Sequence, residues 1–238
     1  MNYSSNTTNK ALMTEARESL KNNWGIAIIT YIIFTAIMGG IQFIPILGWI
    51  VALLISGAMS IGLAVFALSL SRDENAQIPQ IFDGFSKFLV GLGTYILMCI
   101  FIFLWALLLI IPGIIACFRY SQVWFILSED ESIGSMDAIS KSKEMMVGNK
   151  WKLFCLYCRF IGWGILCVLT LGMGFIVLSP YIGLSAAKFY DDLKKENSVD
   201  NIKTVAIETM IDEASEEEKS DGNIGKNDEA ENENKEES

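Results

Sequence analysis

The sequence predicts an all-α fold: a polytopic transmembrane helical bundle with about six spans in three hairpins, followed by a disordered acidic C-terminal tail. Three observations predict it. The chain of 238 residues is 52% apolar, with a mean hydropathy of +0.41, too apolar for ordinary globular packing. The excess lies in uncharged blocks, Trp24 to Leu70, Phe88 to Phe118, Val123 to Ser128 and Phe160 to Ala187. A helix satisfies its own backbone across about 30 Å of hydrocarbon, and runs of ~18 or more apolar residues are long enough to cross. The charge of −9 belongs to the tail: from Glu208 onward 13 acids face Lys219, Lys226 and Lys235, a balance of −10 that leaves the remainder at +1.

Residues 1–23 form a polar leader with Lys10, Arg17 and Lys21. The apolar run behind it is longer than the roughly 7–15 residues of a secretory signal, so it reads as a retained first span. Cutting the blocks at their Pro and Gly turns gives spans at about 24–43, 47–70, 88–111, 114–127, 151–171 and 174–190, with 191–238 as the tail. Cations alternate with the turns. They precede the first span, recur as Arg72 and Lys87, as Lys141, Lys143 and Lys150, and as Lys188, Lys194, Lys195 and Lys203, whereas "QFIPILG", "PG" and "LTLGMG" carry none. Lys and Arg accumulate on the cytoplasmic side of a cell membrane, so both termini are expected there. The same parity requires the short segment 114–127 to cross. Its Ile, Phe, Val and Leu residues favour insertion by roughly 2–4 kcal/mol against about 2.5–3.5 for a central Arg. It is expected to enter as a hairpin with the third span, through a tight Pro112-Gly113 turn.

That Arg is Arg119, between Phe118 and Tyr120. Arg159 lies in the next span, and both sit about 12 Å from the same ends of adjacent antiparallel helices. No Asp or Glu occurs inside any predicted span. Each arginine either snorkels to the interface or binds carbonyls and water, or both face a pocket that holds an anion such as a lipid phosphate, which suits the planar guanidinium fork. The loop "SEDESIGSMDAISKSKEMMVGNKWK" reads as an interfacial helix, with Ser135 as its cap, Ala138, Ile139, Ser142, Met145 and Met146 on one face and Gly148 at its C-terminal end, or as a solvated basic loop. In the first case Lys141, Lys143, Lys150 and Lys152 meet anionic headgroups. Similar leaders precede three of the spans: "ARESLKNNW", "FSKF" and "SKEMMVGNKW". Gly57, Gly62, Gly91 and Gly93, with "FIGWG" and "LGMG", offer faces for close helix packing.

Catalytic constellations are missing. The chain has no His, which removes Ser-His-Asp and Cys-His nucleophile systems, the HExxH zinc site and histidine-ligated haem. Cys155 and Cys158 form a CxxC without a second pair, so all five cysteines are read as reduced packing residues. Glu129, Asp130 and Glu131 read as a solvated helix terminus rather than a metal site. No enzyme active site, metal, cofactor or nucleic-acid partner is expected. Asn197 to Ala214 has the spacing of a short amphipathic helix, but the rest of the tail is too charged to order itself. The expected partners are membrane lipids, with another membrane or cytoplasmic protein as the alternative and the tail as a docking segment for a basic partner, and the oligomeric state is not specified.

"IPGIIACFRYS", "SKEMMVGNKWKLF", "FIGWGIL", "LTLGMGF", Pro180-Tyr181 and "AKFY" resemble, in order and spacing, the bacterial integral-membrane family called domain of unknown function 975. The resemblance covers about residues 11–193 and implies a multi-helix membrane protein without an assigned activity. It also implies kinship with the membrane portion of some glycerophosphodiester phosphodiesterases, although no phosphodiesterase catalytic domain is recognisable in these residues. Relatives often carry an acid-Asn-Pro turn where this chain has "SEDES". On these grounds the chain is expected to bind or move an anionic lipid or amphiphile, with a membrane-anchored recruiting protein as the first alternative and a lipid-modifying enzyme as the second.

Overall fold

The computed structural model describes residue 3 and residues 5–44, 47–170 and 172–195. The tail from 196 onward, including the amphipathic stretch expected at 197–214, lies outside them. Every regular element among the described residues is helical. Five helical stretches are long and apolar enough to cross a membrane: Trp24–Ile41, Leu47–Ser71, Ile78–Leu108, Ile111–Glu129 and Lys150–Leu169.

The polar leader contains α1 (Asn9–Leu20), capped by the Thr8 hydroxyl, which accepts from Ala11 N at 3.3 Å. Leu12, Ala16, Ser19 and Leu20 are buried, a helical spacing that turns one face to the bundle. After a short turn α2 (Trp24–Ile41) and α3 (Leu47–Ser71) form the first long pair. A 3-10 helix (Ile78–Lys87) leads into α4 (Phe88–Leu108), whose return arm is α5 (Ile110–Arg119) and α6 (Val123–Glu129). Then α7 (Ser135–Met145) precedes α8 (Lys150–Leu169), and α9 (174–195) returns. A short helix followed by a long pair thus recurs three times.

The central column is α3, packed on the 3-10 helix, α4 and α6. Small residues allow the approach: a Cβ on Gly62 would overlap the Ile81 carbonyl, one on Gly57 the Gly91 carbonyl, and one on Gly84 the Ala58 carbonyl. Burial is uneven along α3. From Ser56 to Ser71 most residues are inaccessible, whereas Trp49, Ile50, Leu53 and Leu54 are exposed. The same division runs through the molecule. At the end carrying Arg72, Glu129 and Asp191, the base, Leu12, Ile61, Val123, Ile126, Ile139, Leu153 and Phe189 share one core. At the other end, Ile100, Phe103 and Leu104 of α4, Ile111 and Ile114 of α5, Ile161 and Leu169 of α8, and Phe175 and Ile176 of α9 form an exposed apolar belt. A surface of this kind suits hydrocarbon surroundings, where the backbone is already satisfied within helices.

Five local expectations are corrected. The chain reverses at Leu109, which is extended (φ −163°, ψ 146°), not at Pro112-Gly113. Pro112 sits in the first turn of α5, where its missing N–H costs nothing, and Gly113 lets Ala106 come within 3.0 Å of where a Cβ would lie. The fourth segment is not one helix over 114–127, because Tyr120–Gln122 interrupt it. Gly134, not Ser135, occupies the cap position of α7, and the Ser135 hydroxyl instead donates to Val90 O at 3.1 Å. The α7 face of Ala138, Ile139, Ser142 and Met145 is buried against α4 and α6 rather than lying on a membrane surface. The expected C-terminal glycine of this region, Gly148, does adopt a left-handed φ of 79°. The last helix continues to 195, five residues into the stretch read as tail.

Candidate anion and lipid sites

Arg119 ends α5 at the interruption of the fourth segment and is half-buried. Its side chain has no hydrogen bond or ion pair with another described residue, while its carbonyl accepts from Ser142 Oγ at 2.9 Å. Beside it, Lys143 of α7 places Nζ 5.4 Å from the Phe101 ring centroid and 5.7 Å from that of Tyr120, within the range of a cation–π contact. Phe101 and Tyr120 themselves stand 6.2 Å apart. The cation brought next to the Arg119 position is therefore Lys143. Arg159 is exposed on α8, and no contact joins it to Arg119 among the described residues.

The other lysines divide. Lys141 on α7 and Lys150 at the start of α8 are half-buried. Lys152 is drawn into the protein: Nζ donates to Ser5 O at 2.7 Å and to the Ser5 hydroxyl, lies 3.5 Å from Asp192, and approaches the Phe189 ring at 6.0 Å. The Ser5 and Thr7 hydroxyls both donate to Asp192, and Asn149 Nδ2 donates to Tyr3 O at 2.7 Å. The N-terminal segment is thereby strapped across the ends of α8 and α9.

Glu129 is not a solvated terminus. It accepts from Arg72 at 2.5 Å, Lys194 at 2.8 Å and the Tyr190 hydroxyl at 2.6 Å. Arg72 also reaches Asp191 at 2.6 Å, and Asp191 accepts from Ser71 Oγ at 2.9 Å. Burial alone lowers the Arg72 pKa, but the hydrogen bonds to Asp191 and Glu129 outweigh it and raise the guanidinium above its ordinary value. The network ties the base ends of α3, α6 and α9 together. Lys87 Nζ closes the end of α6 by donating to Leu127 O at 2.7 Å and Asp130 O at 3.0 Å, a favourable place for a cation. Asp130 lies beyond α6, and hydrogen bonds from the Ser132 hydroxyl and N–H hold its carboxyl below the usual range. All five cysteines are free; Cys167 is buried, but Cys99 and Cys117 are exposed on the apolar belt rather than packed.

One site was not read from the sequence. A cavity of about 470 Å³ opens between α1, α8 and α9, with Met13, Arg17, Trp24, Trp163, Cys167 and Tyr181 in its walls. In the sequence Arg17 reads only as one of the cations that precede the first span. The signal that could have found it is the Leu12, Ala16, Leu20 spacing, which makes α1 an amphipathic helix against the bundle.

Among curated proteins and among solved structures nothing matches this chain. A family model, described as a protein of unknown function (DUF975), matches it in two overlapping stretches, residues 1–117 and 106–197. Together these cover every described helix, and the chain belongs to the DUF975 family.

Proposed function

We propose that this chain is a multi-pass protein of the bacterial cell membrane, without an enzyme active site, that binds an anionic lipid headgroup where α5 gives way to α6. The observation that carries the reading is Arg119, half-buried beside the Lys143 contact with Tyr120 and without an acidic partner among the described residues. A cation half-buried among apolar residues is costly unless an anion or water compensates it. A lipid phosphate offers the planar guanidinium two parallel acceptors. Six spans with both termini in the cytoplasm, supported by the alternation of cations along the chain, put the base at the inner leaflet, where anionic headgroups attract lysines such as Lys141 and Lys150. Exposed Arg159 then meets lipid directly from α8.

The test is native mass spectrometry of the full chain released from nanodiscs of mixed phosphatidylglycerol and phosphatidylethanolamine. A hydrogen bond to a charged group contributes about 1.5–3 kcal/mol, so Arg119→Gln is expected to lower phosphatidylglycerol retention about 10-fold or more. Equal retention by wild type and variant, both folded, removes the proposal.

A further inference from the structure

We infer that the cavity between α1, α8 and α9 binds a single-chain anionic amphiphile, a long-chain fatty carboxylate, with Arg17 holding the head and the apolar walls the chain. The inference rests on the reading that this protein takes anionic amphiphiles from the membrane, but it uses a different place and different residues. The volume, about 470 Å³, lies within the ~300–1,000 Å³ of small-molecule sites. Trp163 to Thr170 on α8 and Gly174 to Tyr181 on α9 both line it. Each stretch covers eight residues, or seven helical steps, so the cavity follows the helices for about 10 Å.

The hydroxyls in its walls are partnered within the protein. The Tyr181 hydroxyl donates to Met13 O at 3.2 Å, and Thr170 Oγ1 donates to Cys167 O at 2.9 Å. Arg17, exposed at the rim, is the only charged residue among the described residues of the lining, and it has no hydrogen bond or ion pair with another of them. The complement of such a site is one negative charge on an apolar body. A zwitterionic head is disfavoured, because no acid lines the cavity to receive its cation. A carboxylate matches the guanidinium fork with two parallel hydrogen bonds. Moving a chain from bilayer hydrocarbon into a protein cavity gains little from the hydrophobic effect, as lipid tails are as apolar as leucine. Selectivity therefore falls on Arg17.

The full chain in uncharged phosphatidylcholine nanodiscs is titrated with palmitate and read by native mass spectrometry. Wild type is expected to take up one palmitate. Arg17→Gln weakens uptake about 10-fold or more, from the loss of a charge-assisted pair, and Arg17→Lys restores part of it. Val177→Trp, which puts an indole into the cavity, abolishes uptake, and Arg119→Gln leaves it unchanged. Palmitate uptake unaltered in folded Arg17→Gln and Val177→Trp overturns the inference. So does an Arg17-dependent occupancy by phosphatidylglycerol in place of palmitate. The two sites fail separately, since phosphatidylglycerol retention that is insensitive to Arg119 removes the headgroup proposal while the palmitate result stands.

Discussion

Replacing Gly62 by alanine distinguishes tight packing from loose packing by the sign of its effect. At an open helical position the change stabilises by about 0.5–1 kcal/mol, because alanine loses less backbone freedom on folding than glycine. At Gly62 the added methyl would overlap the Ile81 carbonyl and stand 2.9 Å from the Ile81 Cα. These are backbone atoms of the 3-10 helix, so no side-chain rotation relieves the overlap. Overpacking costs about 1–3 kcal/mol, which leaves a net loss of about 1–2 kcal/mol, or ~2–8 °C in melting temperature for a chain of this size. Gly162 on α8 has no atom within 4 Å of its missing Cβ, and Gly162→Ala should raise stability by about 0.5–1 kcal/mol. Thermal unfolding of the purified full chain, followed by tryptophan fluorescence, reads both. A Gly62→Ala protein that melts at or above wild type would refute the contact between α3 and the 3-10 helix.

Glu129→Gln removes the charge shared by Arg72 and Lys194 and should cost about 1–3 kcal/mol. The value belongs near the lower end, because the side chains of Arg72 and Lys194 retain 33% and 54% of their exposure and solvent screens them. Denaturant titrations at low and high salt should show the gap from wild type narrowing as salt rises; a salt-independent gap would assign the loss to packing. Pro112→Ala should change stability by no more than about 0.5 kcal/mol, since Pro112 occupies a first helical turn, and a loss several times larger would mean that it shapes the reversal after all.

Hydropathy made the long helices legible, because an uncharged run of apolar residues has few alternatives in water or lipid. The recurrence of a short leader before each pair was also visible in "ARESLKNNW", "FSKF" and "SKEMMVGNKW", which precede or overlap the starts of α2, α4 and α8. Punctuation misled at Pro112-Gly113, where proline fits a helix start as readily as a turn. Glycine likewise carries two meanings: Gly57, Gly62 and Gly91 sit at close approaches, whereas Gly162 and Gly164 of "FIGWG" meet nothing. The surroundings of Arg119 and Arg159 are not legible in the sequence, because equal depth on adjacent helices says nothing about which α-helical face each side chain occupies. Lys143 reached the place beside Arg119 through α7, whose insertion between α4 and α6 depends on tertiary contacts that composition does not encode. Glu129 gained its partners from residues 57 to 65 positions away in the chain.

At Tyr120–Gln122 the ladder of helical hydrogen bonds is broken, and the Arg119 carbonyl receives its donor from Ser142, 23 positions further on. Translation delivers that donor late. A nascent chain that has not yet produced α7 has no Ser142 to donate to this carbonyl, which must find another partner. A truncation before Ser142 is therefore expected to leave the junction of α5 and α6 less well ordered, although both helices are already fully synthesised.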